Sequence, residues 1–350
     1  MTRQFLSLTA LVVAATLTQH PVTAAKPGAA SPSIIDLGTL GTFSAAFGIN
    51  NDPDNIQVVG MSTKADGFTN AFLWTSATKM IDLGSLGRGS DAADINNHGV
   101  IAGNSRDDAG QRWAVVWTLT SGVWTMDKLG TGSARGLNNG TAGDPSAVAV
   151  VGSSGVASGD FHAVMWKKGM TEWLIEDLGT LPGDMSSSAY DVNDSDTVVG
   201  VSVSSTQIRR AFRWTPSTGM VALPGLGGET MALAIGNNGD VAGLSTDGAG
   251  NRHAVRWRAA DNAIQDLGTL GGCCGEGYGI NTTGTVVGVT DLGGRRGTQH
   301  AFLAKPGAPM TDLGALRGKS AARDLNDFGT IVGESGSGNG QIHAAIWRLQ

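Results

Sequence analysis

The densest chemistry in this chain comes from one variable slot in a recurring Ala-x-x-Ile-Asn run. Its second position holds Phe47, Ala93, Arg135, Tyr190, Leu233, Tyr278 and Arg323, and both tyrosines of the whole protein fall there. The third position holds Asp94, Asp191 and Asp324 and is otherwise Gly or Ala. Aromatic faces that stack, guanidinium forks that bind two oxygens and carboxylates that accept hydroxyls make a mixture suited to a sugar or another polar ligand. Arg135, Tyr190, Tyr278, Arg323, Asp94, Asp191 and Asp324 are therefore the candidate ligand-binding residues. The same groups would also equip an enzyme, with tyrosine transferring a proton and arginine clamping a carboxylate. A structural use competes with both: packing between elements, with Arg135 and Arg323 paired to aspartates.

Other reactive residues read more simply. His162, His253, His300 and His343 occupy equivalent positions of successive copies, which spaces them around the molecule instead of gathering them in one coordination sphere. Each is expected to begin a strand and bond a neighbouring loop. Asp36, Asp82, Asp177, Asp266 and Asp312 recur in the same way and are expected to cap turns. The segment from Asn51 to Asn55 could collect a calcium ion, but its residues are turn formers without any metal. Arg106, Arg112, Arg209, Arg210, Arg252, Arg295 and Arg296 cluster in loops beside Asp107, Asp108 and Asp247 and read as a mixed-charge rim. Cys273 and Cys274 are the only cysteines; being adjacent they cannot form a disulfide framework and read as two tolerated thiols in a Gly-rich loop. No nucleophile elbow, zinc spacing, phosphate loop or dinucleotide fingerprint is present. No catalytic residue, cofactor or metal is demanded.

The elements that must position these groups are repeats. The leucine of an Asp-Leu-Gly motif falls at Leu37, Leu83, Leu129, Leu178, Leu223, Leu267 and Leu313, a spacing near 45 residues. A glycine after two small apolar residues recurs at Gly60, Gly103, Gly152, Gly200, Gly243, Gly288 and Gly333. An Ala-Phe-x-Trp run ends in Trp74, Trp117, Trp166, Trp214, Trp257 and Trp347, with Ala304 in the sixth copy. Each copy contains four short runs rich in apolar and β-branched residues, separated by Gly, Asn and Asp, and such a period marks a propeller. Asn and Gly in the Ile-Asn turns are expected because both tolerate positive φ. The fold class is an all-β, seven-bladed β-propeller of four-stranded repeats. The first Asp-Leu-Gly run is expected to close it by docking beside residues 343–349 on the last blade.

Composition agrees with this reading. The 350 residues include 53 glycines and 15% charged side chains, and the formal charge is −6. An acidic chain lacks the basic footprint that nucleic acid requires. Residues 1–25 read as a secretory signal peptide, with Arg3, an apolar stretch from Phe5 to Leu17 and small residues before Ala25. That stretch is too short for a membrane span. Residues 26–33 form a linker and 34–350 the propeller.

The triplets His162-Ala163-Val164, His253-Ala254-Val255, His300-Ala301-Phe302 and His343-Ala344-Ala345, set among Asp-Leu-Gly and Val-Val-Gly motifs, resemble the HAF-repeat family of extracellular bacterial proteins. Asn70, Trp113 and Arg210 stand where the family has histidine, Pro224 interrupts the first motif and Gly236 replaces its asparagine. The resemblance implies export and a repetitive β architecture and carries no activity. The expected function is a secreted, non-enzymatic binding module, monomeric, with a polysaccharide or a cell-surface protein as partner. A propeller-type polysaccharide lyase or hydrolase, and a structural envelope protein, are the alternatives.

Overall fold

In a strand successive side chains point to opposite faces, so an apolar pair such as Val58-Val59 must be covered on both sides. The computed structural model describes residues 32–140, 147–170, 172–293 and 298–349, and there the chain is built of 28 strands without a helix. They form seven four-stranded antiparallel sheets arranged as the blades of a propeller. Seven apolar clusters lie between them, one at each interface. Val58 enters the cluster shared with the seventh blade and Val59 the cluster shared with the second. Val150 and Val151 divide in the same way between the second and fourth blades. Burying each valine contributes about 1.5–3 kcal/mol, which makes blade stacking the main stabilising term.

The run order within a blade is as the sequence predicts, with the Ala-x-x-Ile-Asn run innermost. In the seventh blade, Arg317–Leu325, Thr330–Gly336 and Ile342–Arg348 are joined by Ser33–Asp36. Ile34 pairs with Trp347 and Asp36 with Ala345, so the N-terminal run closes the ring. The expected signal peptide, residues 1–25, lies outside the described residues, as do Arg295 and Arg296.

Two motifs act differently from expectation. In the Ile-Asn turns the expected positive φ falls on the glycine, at Gly99 and Gly284, and not on the asparagine. Asparagine is there because its side chain bonds in two directions. Asn96 Oδ1 accepts the amides of His98 and Val100 in its own turn, while its Nδ2 donates to Asn138 O of the next blade. The residue after it adds a second ring of bonds. Asn51 N donates to Asn97 Oδ1, Asn97 N to Asn139 Oδ1, Asn139 N to Asp194 Oδ1 and Asp194 N to Asn237 Oδ1. Thr282 N donates to Asp327 Oδ1, and Asp327 N returns to Asn51 Oδ1.

The histidines bond a strand and not a loop. His162, His253, His300 and His343 lie 2.8–2.9 Å from Asp177, Asp266, Asp312 and Asp36 on the adjacent outermost strand. Those aspartates also cap the amides of Gly179, Gly268, Gly314 and Gly38, which is the turn role expected of them. The two motifs are thus halves of one pair, and in the seventh blade that pair spans the closure.

One interface lacks the shared devices. Between the fifth and sixth blades, Gly236 has no side chain to bridge, and Asn237 and Thr282, each bonded to its other neighbour, make no ring bond to one another among the described residues. Ala304 replaces the tryptophan, and Gly275, like Gly132 of the third blade, replaces the hydroxyl that receives a neighbouring blade's amide at the five other interfaces, as Ser90 does from Ala71. An ion pair of Arg252 and Glu276, 2.6 Å, crosses there instead. Stability is not uniform where packing and bonding are not. In native-state hydrogen exchange, Arg252–Trp257 and Gly271–Ile280 should lose protection before the equivalent strands of other blades. First loss at Ser33–Asp36 would contradict this.

Candidate functional site

A glycine in each second strand controls where the slot residue points. At all seven blades the pairing between innermost and second strand slips by one residue at the slot, for example between Ala134 and Gly136 and between Ala322 and Asp324. The slip is a β-bulge, which leaves one residue unpaired and re-aims its side chain. A Cβ on Gly60, Gly152 or Gly288 would strike the bulging strand's carbonyl, that of Ala45, Ser133 or Glu276. Only glycine admits the bulge, and the bulge turns Phe47, Ala93, Arg135, Tyr190, Leu233, Tyr278 and Arg323 onto the wall of one axial cavity of about 310 Å3. All seven candidate residues named from the sequence line that cavity.

Two Arg and Tyr stacks stand on the wall. Arg323 lies 4.5 Å from the Tyr278 ring and Arg135 lies 4.6 Å from the Tyr190 ring. Their chemistry differs. Arg323 is committed to Glu334, with its Nε 3.0 Å from a carboxylate oxygen, and Tyr278 donates to Glu276 Oε2 at 2.7 Å. Burial, with Glu276 beside it, pushes the Tyr278 hydroxyl far up, so it stays protonated. Arg135 is exposed to the cavity and pairs with no carboxylate among the described residues, and the Tyr190 hydroxyl makes no bond among them. The structural use of these arginines is therefore half right, and Arg323's partner is a glutamate.

Asp94, Asp191 and Asp324 separate this cavity from a second, of about 150 Å3, at the asparagine-ring end. Each carboxylate accepts its own next amide and reaches across to the following blade: Asp94 to Leu137 N, Asp191 to Ile235 N and Asp324 to Ile49 N, 2.8–3.1 Å. None has a cation partner among the described residues. Burial pushes Asp191 and Asp324 up to about 7, against the pull of their amide donors. Asp94 is held well above the ordinary range by burial and by the facing charges of Asp191 and Asp324. The second cavity adds Asp194 and Asp327 and has no Lys, Arg or His on its wall among the described residues, so the channel is acidic at one end and carries its free cation at the other.

Asp91, Glu276 and Glu334 were not anticipated. Asp91 and Glu276 sit two residues before the slot, and a period of two would have placed them on the channel face. Glu334 becomes visible only once strand register pairs it with Ala321. The rim is the mixed-charge surface expected, with Arg209, Arg210 and Arg252 paired to Glu229, Asp184 and Glu276. In the first blade's hairpin, Asp52 Oδ1 accepts the amides of Asp54 and Asn55, which makes it a self-capped turn.

No protein-family model and no curated protein sequence matches the chain. Among solved structures it is similar to the Pyrococcus horikoshii acylaminoacyl peptidase, at 11% identity and TM-score 0.53 over 89% of this chain and 52% of that one. It is similar also to TolB from Acinetobacter baumannii, at 13% identity and TM-score 0.46 over 89% of this chain and 65% of that one. The chain thus spans about half of the first protein and under two thirds of the second. At these identities the likeness concerns the fold alone.

The aspartate ring sets a pH dependence. Raised acids hold protons in the folded state that the unfolded chain has released, so their contribution is full below pH ~4 and lost as pH rises through ~7. The melting temperature of the parent should fall from pH 5 to pH 8 more steeply than that of the Asp191→Asn, Asp324→Asn double variant. Parallel profiles would remove these groups from the account.

Proposed function

We propose that this chain is an exported binding module that takes a polar, anionic saccharide unit of a cell-surface or extracellular polymer at the Arg135 and Tyr190 wall of its channel. The observation that carries the reading is a guanidinium stacked on an aromatic ring, facing a cavity and free of any carboxylate among the described residues. Tyr190 and Phe47 offer faces for a sugar ring, and Arg135 offers a fork for a carboxylate or paired hydroxyls. A volume of about 310 Å3 sits at the lower end of roughly 300–1,000 Å3 usual for small-molecule pockets, so one sugar unit suits it better than a long segment.

Binding is favoured over catalysis for a specific reason. Of the groups an enzyme would use, Tyr278 is held protonated against Glu276 and Arg323 is spent on Glu334. That leaves Tyr190, whose hydroxyl meets no acid or base among the described residues, and Asp94, Asp191 and Asp324, each of which already accepts two backbone amides. The similarity to HAF-repeat proteins and the signal-like residues 1–25 support export. Among the described residues no helix is long and apolar enough to cross a membrane.

Retention of the mature protein on immobilised acidic and neutral polysaccharides, with soluble products monitored, tests this. Arg135→Ala and Tyr190→Ala should each weaken retention on an acidic polymer roughly tenfold or more, the value of about 1.4 kcal/mol for a lost charged or stacking contact. Arg209→Ala, on the rim with Glu229, should leave it unchanged. Equal retention of all variants would reject the site. Release of products by the parent would reject the non-enzymatic reading.

A further inference from the structure

The sixth blade, like the fourth, is lengthened where the chain enters its innermost strand. In the first, second and fifth blades the hydroxyl that bonds a neighbouring blade lies three positions after the opening glycine: Gly41 to Ser44, Gly87 to Ser90, Gly227 to Thr230. In the sixth, Gly275 lies four positions after Gly271, and the lengthened segment carries Cys273 and Cys274. The inter-blade hydroxyl is lost at Gly275, so the added length does not serve that bond. Both thiols are unpaired and their sulfurs converge to 2.6 Å. Cys273 Sγ stands 3.2 Å from Asp291 Oδ2 on the neighbouring strand, and Gln299 Nε2 holds the other oxygen of Asp291 at 3.0 Å. These ligand atoms all lie within 4.8 Å of one another, and no other group of three His, Cys, Asp or Glu side chains among the described residues is so close.

We propose that Cys273, Cys274 and Asp291 bind a soft divalent metal ion of the zinc and cadmium class. Two thiolates and one carboxylate oxygen are three protein ligands of a tetrahedral site, with the fourth position open to water at the exposed rim. Binding releases the two thiol protons to solvent and replaces them with one M²⁺. Thiolates at about 2.3 Å from a tetrahedral ion stand roughly 3.8 Å apart, so the sulfurs must separate on binding. Gly271, Gly272 and Gly275 give the backbone room to do so. Gln299 then acts as the outer partner that orients the carboxylate.

The test is titration of reduced, metal-free protein with Cd²⁺, followed by the ultraviolet charge-transfer band of cadmium thiolates. One equivalent should saturate the parent. The Cys273→Ser, Cys274→Ser double variant should show no band while melting at an unchanged temperature, and Asp291→Asn should weaken binding by roughly tenfold or more. Absence of the band in the parent would overturn the proposal, as would binding unaffected by Asp291→Asn. A thiol assay on protein isolated without reductant and treated with chelator should count two thiols. A count of zero would mean an adjacent disulfide and would also overturn it.

Discussion

A carbonyl of each innermost strand occupies the space where a side chain on the second strand would stand. Everything at the axis follows from that contact. Glycine at Gly60, Gly103, Gly152, Gly200, Gly243, Gly288 and Gly333 lets the inner strand bulge, and the bulge releases one residue per blade from alternation and turns it inward. The repeat can thus stay invariant for packing while one position is free to vary. Variation collects in the slot because it is the position the scaffold does not use.

Around that axis the blades are tied by polar groups that each serve two blades. Asp94, Asp191 and Asp324 set their backbones against the small residue of the preceding blade, Gly48, Gly136 and Gly279, and reach forward to an amide of the next. Strict alternation of aspartate and small residue cannot close on seven. Two small residues, Ala234 and Gly279, therefore adjoin, and the asparagine, hydroxyl and tryptophan devices are missing at the same interface. The junction with the fewest of these devices lies within the chain, while the place where its ends meet is stapled by Asp36 and His343 as well as by strand pairing.

Repeat period, strand order, closure and the slot were legible in the sequence because each depends on local pattern. Both faces of Val58-Val59 had to be covered, and an N-terminal run equivalent to six outermost strands had one vacancy to fill. The partners were not legible. That His343 meets Asp36, that Asn96 bonds the third blade and that Glu334 takes Arg323 depend on register between strands or between blades, and sequence distances of up to 307 residues carry no trace of it. Asp91 and Glu276 were within reach of a period-two argument.

The functional reading stands on a geometric claim: the glycine of a second strand presents the ligand-facing residue of the first. The substitution Gly152→Ala touches neither Arg135 nor Tyr190, which makes it the most direct trial, read by the crystal structure of the variant beside its melting temperature. The account predicts a lower melting temperature and a third blade whose bulge is lost or displaced, with Arg135 off the Tyr190 ring. A Gly152→Ala variant of full stability, with the bulge and the Arg135 stack unchanged, would contradict it.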